Sequence, residues 1–147
     1  MDRDSFAMLH PLRVRWNECD MHGIVFNVNY FLYYDIATYE WQCAVGDAAG
    51  GQPDFLTAHA ECDYMQAATF NDALDVGVRC VGIGQKSINL ETAVFRGGEL
   101  LNRGRLTYVH LKKGTTETSV MAPDLIERIL AFEKIAPMRV LKAAGAS

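Results

Sequence analysis

The second half of the chain alternates apolar and polar residues in segments that are separated by short turns. This period of two residues predicts β-strands at residues 56–64, 74–80, 88–95 and 100–111. In the first of these strands, the pattern assigns one face to Leu56, Ala58, Ala60, Cys62 and Tyr64. Gly97-Gly98 is typical of a two-residue hairpin turn, and Lys113-Gly114 predicts another turn before a short last strand at residues 115–120. Consecutive strands that are joined by tight turns form an antiparallel sheet.

One long helix is predicted ahead of these strands, from Tyr30 to about Val45. Its apolar residues follow helical spacing and also continue around the back, with charges only at Asp35 and Glu40. A helix that is apolar nearly all round is usually buried. A strand at residues 12–16 precedes this helix, and Pro123 suits the start of a small terminal helix. This order predicts an α+β fold, an antiparallel sheet of five or six strands wrapped around one long central helix.

The size, charge and cysteine content of the chain indicate which class of protein it belongs to. Its 147 residues are interpreted as a single domain, 1–147, and the net charge of −4 disfavours a nucleic-acid-binding role. The four cysteines show no metal-ligand spacing, so no metal and no cofactor are predicted. No apolar run reaches the ~18–20 residues that span a bilayer, and the polar N-terminus predicts a cytoplasmic protein without a membrane partner. The unpaired strand edges predict a homodimer or a homotetramer.

A loop with one acid, "CDMHGIVFNVNY", leads into the predicted helix. Trp16, Asp20, Gly23, Ile24-Val25 and Tyr30 form a pattern that resembles the hotdog-fold acyl-CoA thioesterases, specifically the 4-hydroxybenzoyl-CoA thioesterase-like family. The later segment "ECDYMQAATFNDALDVGVRCVGIGQKS" resembles the second characteristic segment of that family, although Gln66-Ala67-Ala68 stands where many relatives have a proline.

This resemblance implies a hotdog fold and hydrolysis of an acyl-CoA thioester, with acyl carrier protein as an alternative carrier. It places Asp20 at the catalytic carboxylate, Gly23 at the turn and Asn27 near the oxyanion contact. It further implies substrate contacts from residues of the same loop and helix and from the "QKS" segment, namely His22, Val25, Phe26, Tyr30, Lys86 and Ser87.

The chemistry of thioester hydrolysis fits this assignment and leaves alternatives open. A carboxylate is ionised at neutral pH, so Asp20 can attack directly, or it can activate water if its surroundings desolvate it. The first amides of a helix are unpaired and carry partial positive charge, which suits an oxyanion. Asn27 has two interpretations, a helix cap or a substrate contact, and Asp35 on the helix is a rival acid. A non-catalytic acyl-CoA-binding module and a hotdog hydratase or dehydratase are the alternative functions.

Overall fold

The computed structural model describes residues 2–139 and contains one sheet and two α-helices. The strands are β1 Leu9–Arg13, β2 Phe55–Tyr64, β3 Ala73–Ile83, β4 Ser87–Arg96, β5 Glu99–His110 and β6 Met138–Arg139. The helices are α1 Asn29–Val45 and α2 Pro123–Phe132. The strand order is β1-β3-β4-β5-β2, all antiparallel, and the short β6 runs parallel to the end of β3. The predicted α+β fold, a sheet of five or six strands with one long helix, is confirmed.

Two predicted strands differ from the structure. The first strand ends at Arg13, and Trp16 lies instead in a 3-10 turn, Trp16–Glu18, where its side chain is 77% exposed. This turn forms because the Glu18 carboxylate accepts a hydrogen bond from the N–H of Arg15, an interaction that periodicity does not reveal. Within the described residues, the predicted last strand at 115–120 is reduced to one isolated bridge between Leu111 and Thr118.

A bulge in β2 reverses the predicted faces of its first residues. The pairing with β5 shifts between Thr57 and His59, so Thr57 lies opposite the buried Tyr108 and shares its face. After the bulge, Ala60, Cys62 and Tyr64 lie on that same inner face. Because side chains alternate along a strand, one extra residue moves Leu56 to the outer face. The predicted position of Leu56 on the same face as Ala60 is therefore wrong, and Ala58 is the extra residue of the bulge.

The central helix is buried on only one side. Tyr33, Tyr34, Ala37 and Trp41 are at most 1% exposed and pack into the core against β3, β4 and β5. The opposite side of α1 carries apolar residues that remain exposed in a single chain: Leu32, Ile36 and Tyr39. The expectation that the helix is buried nearly all round does not hold for one chain.

Two buried polar contacts fix α1 in place. Trp41 donates an indole N–H to the carboxylate of Glu133, which directly follows α2 and is only 8% exposed. Tyr34 donates its hydroxyl to the side chain of Asn102 on β5, and Cys62 completes this small cluster. These contacts determine how α1 lies across the sheet, and therefore where its N-terminus lies.

Candidate active site

The acid of the loop lies at the start of a tight turn. Gly23 donates its N–H to the carbonyl of Asp20 at 3.0 Å, and Asp20 Oδ1 accepts the N–H of His22 at 2.8 Å. Gly23 has a φ of 77°, a conformation that glycine adopts without the steric cost of a side chain. Among residues 2–139, the second carboxylate oxygen of Asp20 accepts no hydrogen bond, so one oxygen braces the turn while the other stays free.

The base of the loop is closed by Glu18. Its carbonyl accepts the N–H of Phe26 at 2.9 Å and the side-chain amide of Asn29 at 2.8 Å. Its carboxylate accepts the hydroxyl of Tyr33 at 3.0 Å. These bonds join the two arms of the loop to the first turns of α1. Asp20 and Asn27 therefore branch from opposite arms of one small, closed loop.

Two amides that directly precede α1 are free. The N–H groups of Asn29, Tyr30 and Phe31 are already bonded to carbonyls three residues earlier. In the described part of the chain, the N–H groups of Asn27 and Val28 have no acceptor, and no side chain caps the helix. The Asn27 side chain therefore does not act as the predicted helix cap. Two successive unpaired donors at a helix N-terminus are suited to bind a developing negative charge.

A pocket of about 310 Å³ opens beside Asn27, which carries the first of these amides. It is lined by the second arm of the loop, the start of α1 and the segment that follows β2: Ile24, Val25, Asn27, Tyr30, Tyr64, Met65, Gln66 and Ala67. Three predicted residues, Val25, Asn27 and Tyr30, contribute to this lining, whereas Asp20, His22, Gly23 and Phe26 do not. Within one chain the acid lies on the same loop as the pocket but outside its lining.

Tyr64 and Glu18 are site residues that the sequence prediction missed. The hydroxyl of Tyr64 donates to the carbonyl of Asn27 at 2.9 Å, and its ring packs edge-on against Tyr30 at 5.6 Å between centroids. Tyr30 in turn accepts the N–H of Ala68 with its hydroxyl, and burial raises the pKa of Tyr30. The acid-x-x-Tyr pattern in "ECDY" was the available signal for Tyr64.

An ion pair stabilises the segment between β2 and β3 that forms one wall of the pocket. Asp72 accepts hydrogen bonds from Arg96 at 2.7 Å and from the N–H of Thr69 at 2.9 Å. Burial alone would raise the pKa of the Asp72 carboxyl, but the bonds from Thr69 and Arg96 outweigh it and hold that pKa below its usual value. Arg96 also donates to the carbonyl of Ala67, which anchors one wall of the pocket.

Lys86 and Ser87 lie at the other end of the sheet, where Lys86 is in the connection between β3 and β4 and Ser87 is the first residue of β4. The eleven residues of β3, at about 3.3 Å each, separate this connection from the loop of Asp20. Within one chain the structure does not bring these two residues to the candidate site, and their contact with CoA stays a prediction.

Three further charged residues, Arg103, Arg105 and Asp35, lie outside the pocket. Arg103 pairs with Asp63, and Arg105 lies opposite Glu91 on the outer face of the sheet. Asp35, the rival acid, is exposed on α1, and its carboxylate has no hydrogen bond within residues 2–139. These positions do not share a site with Asn27.

Residues 2–139 also bear on metal binding and on membrane insertion. No group of three or more His, Cys, Asp or Glu side chains is arranged to hold a metal ion there. No helix in the described part of the chain is long and apolar enough to cross a membrane.

Known structures share this fold. The chain is 28% identical to a thioesterase from Thermus thermophilus that was crystallised with coenzyme A and Zn, with a TM-score of 0.79 and coverage of 88% of this chain and 96% of that one. It is 25% identical to the PA5185 protein from Pseudomonas aeruginosa strain PAO1, with a TM-score of 0.75 and coverage of 92% and 97%. YbaW, a probable thioesterase from Escherichia coli, shares 18% identity at a TM-score of 0.73, covering 86% and 99%, which is evidence for the fold alone. A search of curated proteins gave no match.

A long helix across an antiparallel sheet, with an acid-bearing loop at the helix N-terminus, defines a hotdog-fold protein. The profile of the thioesterase-like superfamily matches residues 14–129, which is most of the chain. The chain belongs to the thioesterase-like superfamily and is a thioester hydrolase.

Proposed function

We propose that the chain hydrolyses acyl-CoA thioesters to a carboxylic acid and CoA at the loop that carries Asp20. The observation that carries the proposal is the pair of unpaired amides, Asn27 and Val28, which directly precede α1, where Asn27 also lines the 310 Å³ pocket. Hydrolysis of a thioester requires charge stabilisation on the carbonyl oxygen, and two adjacent N–H donors supply it. Asp20 lies on the same closed loop and provides a carboxylate oxygen that has no other partner among the described residues.

Two routes are open to Asp20. As a nucleophile, its carboxylate attacks the thioester carbon, CoA leaves as the thiolate, and water then cleaves the mixed anhydride to restore the carboxylate. As a general base, it takes a proton from water while the water oxygen attacks, and CoA again leaves. In both routes the carbonyl oxygen becomes negative and is stabilised by the donors at Asn27 and Val28, each of which is worth ~10²–10³ in rate.

The shape of the pocket supports binding of an acyl group next to these donors. Ile24, Val25, Tyr30 and Met65 give it a largely apolar lining. The Thermus thermophilus thioesterase, which was crystallised with coenzyme A, supports CoA as the carrier. Acyl carrier protein is the second carrier to test. His22 and Phe26 are exposed on the loop and remain proposed substrate contacts.

The test is substitution of Asp20. Asp20→Asn keeps an oxygen that can accept the N–H of His22, so the turn is expected to survive while release of CoA thiol falls by at least about 10³-fold. Asp20→Ala is expected to be as inactive. Asp35→Asn is the matched control, because Asp35 is an exposed acid of α1 outside the pocket, and it is expected to retain activity. Retained thiol release in both Asp20 variants would contradict the proposal.

The same assay distinguishes the alternative functions. Benzoyl-, acetyl-, hexanoyl- and palmitoyl-CoA are offered to the wild-type protein, and free thiol is measured. Tight binding without thiol release would indicate a binding module, and addition of water to an enoyl-CoA without thiol release would indicate a hydratase. Either result would overturn the proposed hydrolysis.

We also propose that two copies associate through β2. This strand is ten residues long and pairs only with β5 among the described strands, which leaves one edge of backbone donors and acceptors unpaired. Apolar residues also stay exposed on these two elements, namely Leu32 and Ile36 on α1 and Ala60 on β2. Antiparallel pairing of two β2 strands would satisfy the edge and cover this apolar surface.

A further inference from the structure

The carbonyl oxygen of Asn27 is held from two directions. The hydroxyl of Tyr64, at the end of β2 and 37 residues away in sequence, donates a hydrogen bond of 2.9 Å to it. The N–H of Tyr30, in the first turn of α1, donates to the same oxygen at 3.4 Å. The Tyr30 contact belongs to the helix itself, whereas the Tyr64 contact comes from another element and is the shorter of the two.

This carbonyl shares a peptide unit with a free amide of the proposed oxyanion site. The C=O of Asn27 and the N–H of Val28 lie in one planar trans unit and point in opposite directions. A bond that fixes the oxygen therefore fixes the direction of the N–H. Hydrogen bonds in series also polarise one another, so donation to the Asn27 oxygen makes the Val28 N–H a stronger donor.

We infer that Tyr64 is a positioning residue that orients and polarises the Val28 N–H toward the thioester carbonyl. The inference rests on the proposed function, because it requires the carbonyl oxygen to bind at the start of α1. Tyr64 acts through the peptide unit and not by contact with the reacting atoms. This role explains why β2 ends in a tyrosine beside the pocket, although that residue is 53% exposed.

The alternative is that Tyr64 matters only through packing of its ring. The ring contacts Tyr30 edge-on, a geometry that phenylalanine reproduces. The backbone after β2 is held independently, because the N–H groups of Met65 and Gln66 both donate to the carbonyl of Leu101. Tyr64→Phe therefore removes one hydroxyl, keeps the packing and is expected to fold.

The first measurement is steady-state hydrolysis of benzoyl-CoA or hexanoyl-CoA, whichever the wild-type protein cleaves faster. Tyr64→Phe is expected to lower kcat about tenfold and to leave KM within about twofold, since loss of a complete oxyanion donor costs ~10²–10³ and a weakened donor costs less. Tyr39→Phe is the matched control. Tyr39 is an exposed tyrosine of α1 outside the pocket, and its variant is expected to match the wild type.

The second measurement reports the strength of hydrogen bonding to the thioester carbonyl. The same acyl-CoA, labelled with ¹³C at the thioester carbonyl, is bound to Asp20→Asn and to Asp20→Asn/Tyr64→Phe, and the carbonyl stretch is recorded by infrared difference spectroscopy. Binding to Asp20→Asn is expected to lower the frequency relative to free substrate. The second variant is expected to recover part of that shift, which loss of packing alone would not predict.

The outcomes separate the two proposals. Unchanged kcat in Tyr64→Phe, or equal frequencies in the single and double variants, overturns the role of Tyr64 and leaves the proposed hydrolysis intact. A frequency that is not lowered in Asp20→Asn overturns the oxyanion site itself, and with it the role of Tyr64. A wild-type protein that releases no thiol overturns the proposed function.

Discussion

The hydroxyl of Tyr33 donates a 3.0 Å hydrogen bond to the carboxylate of Glu18 and so connects the buried side of α1 to the base of the loop that carries Asp20. Burial, together with the neighbouring carboxylate, raises the pKa of Tyr33, so the hydroxyl remains a donor throughout the neutral range. The helix and the loop are therefore positioned as one unit, and the first amides of α1 keep a fixed relation to the acid.

Tyr33→Phe is expected to lower the free energy of unfolding by about 1.5–3 kcal/mol, the range for a hydrogen bond to a charged group. Urea denaturation measures this change. The loop should also loosen, so kcat is expected to fall more than KM changes. Tyr39→Phe serves as the control, because Tyr39 is half exposed and surface changes usually stay within about 0.5 kcal/mol. Equal stability of the two variants would show that the Glu18 contact contributes nothing.

Glu133 gives the protein a measurable pH dependence. Burial raises the pKa of Glu133, although the N–H groups of Trp41 and Cys80 and the nearby Arg79 favour the charged form. A raised folded pKa means that the contribution of this group is fully present below the unfolded pKa of ~4.3 and is lost as pH rises through the folded value.

Glu133→Gln keeps an acceptor for Trp41 and removes the buried charge. Its free energy of unfolding relative to the wild type is therefore expected to increase as pH rises from about 4.5 to about 8. Chemical denaturation at several pH values measures this difference. Glu127 is an exposed residue on α2, and the free energy of unfolding of Glu127→Gln should change with pH in parallel with that of the wild type. A difference that decreases with pH would contradict the buried charge.

Gly104 on β5 permits the close packing of α1 against the sheet. A Cβ at this position would lie 2.5 Å from Thr92 Oγ1 and 2.5 Å from the ring of Tyr34, closer than atoms approach. Gly104→Ala is expected to destabilise the protein by about 1–3 kcal/mol through overpacking. Gly98→Ala, which meets nothing within 4 Å, is the control for thermal or urea unfolding. A Gly104 variant as stable as the Gly98 variant would refute the contact.

Ile36→Lys tests the proposed association through β2. The substitution places a charge on the exposed apolar side of α1, and it is expected to convert a dimer into a monomer in sedimentation velocity experiments. Leu130→Lys introduces the same charged residue at an exposed aliphatic position of α2 and is expected to leave the mass unchanged. A wild-type protein that sediments as a monomer at micromolar concentration, or an Ile36→Lys protein that remains a dimer, would overturn the association.

The architecture could be predicted because it depends on periodicity along the chain. Period-two alternation located the four long strands, and α1 was expected within one residue of its observed start at Asn29. Periodicity gave a wrong prediction where one extra residue changed the register of a strand. It also did so where a local hydrogen bond favoured a turn over the strand. The β2 bulge moved Leu56 to the outer face, and the Glu18–Arg15 bond ended the first strand before Trp16.

The candidate site could be predicted only in part, for a similar reason. The loop residues Asp20, Gly23 and Asn27 are close in sequence, and a resemblance to known thioesterases drew attention to them. The contact of Tyr64 with Asn27 joins residues that are 37 positions apart, and such a contact depends on how the whole sheet folds. The position of Lys86 at the far end of β3 depends on strand length in the same way.

The closure of the loop at Glu18 has an evolutionary consequence. Its hydrogen bonds to Phe26, Asn29 and Tyr33 lie at the base, while residues 20–23 form a tip that is held by its own turn. Substitutions at the two inner tip positions, Met21 and His22, can therefore accumulate without disturbing the scaffold. New substrate preferences in descendants of such a sequence are expected to arise first at Met21 and His22, the two tip positions whose side chains have no partner in the described residues.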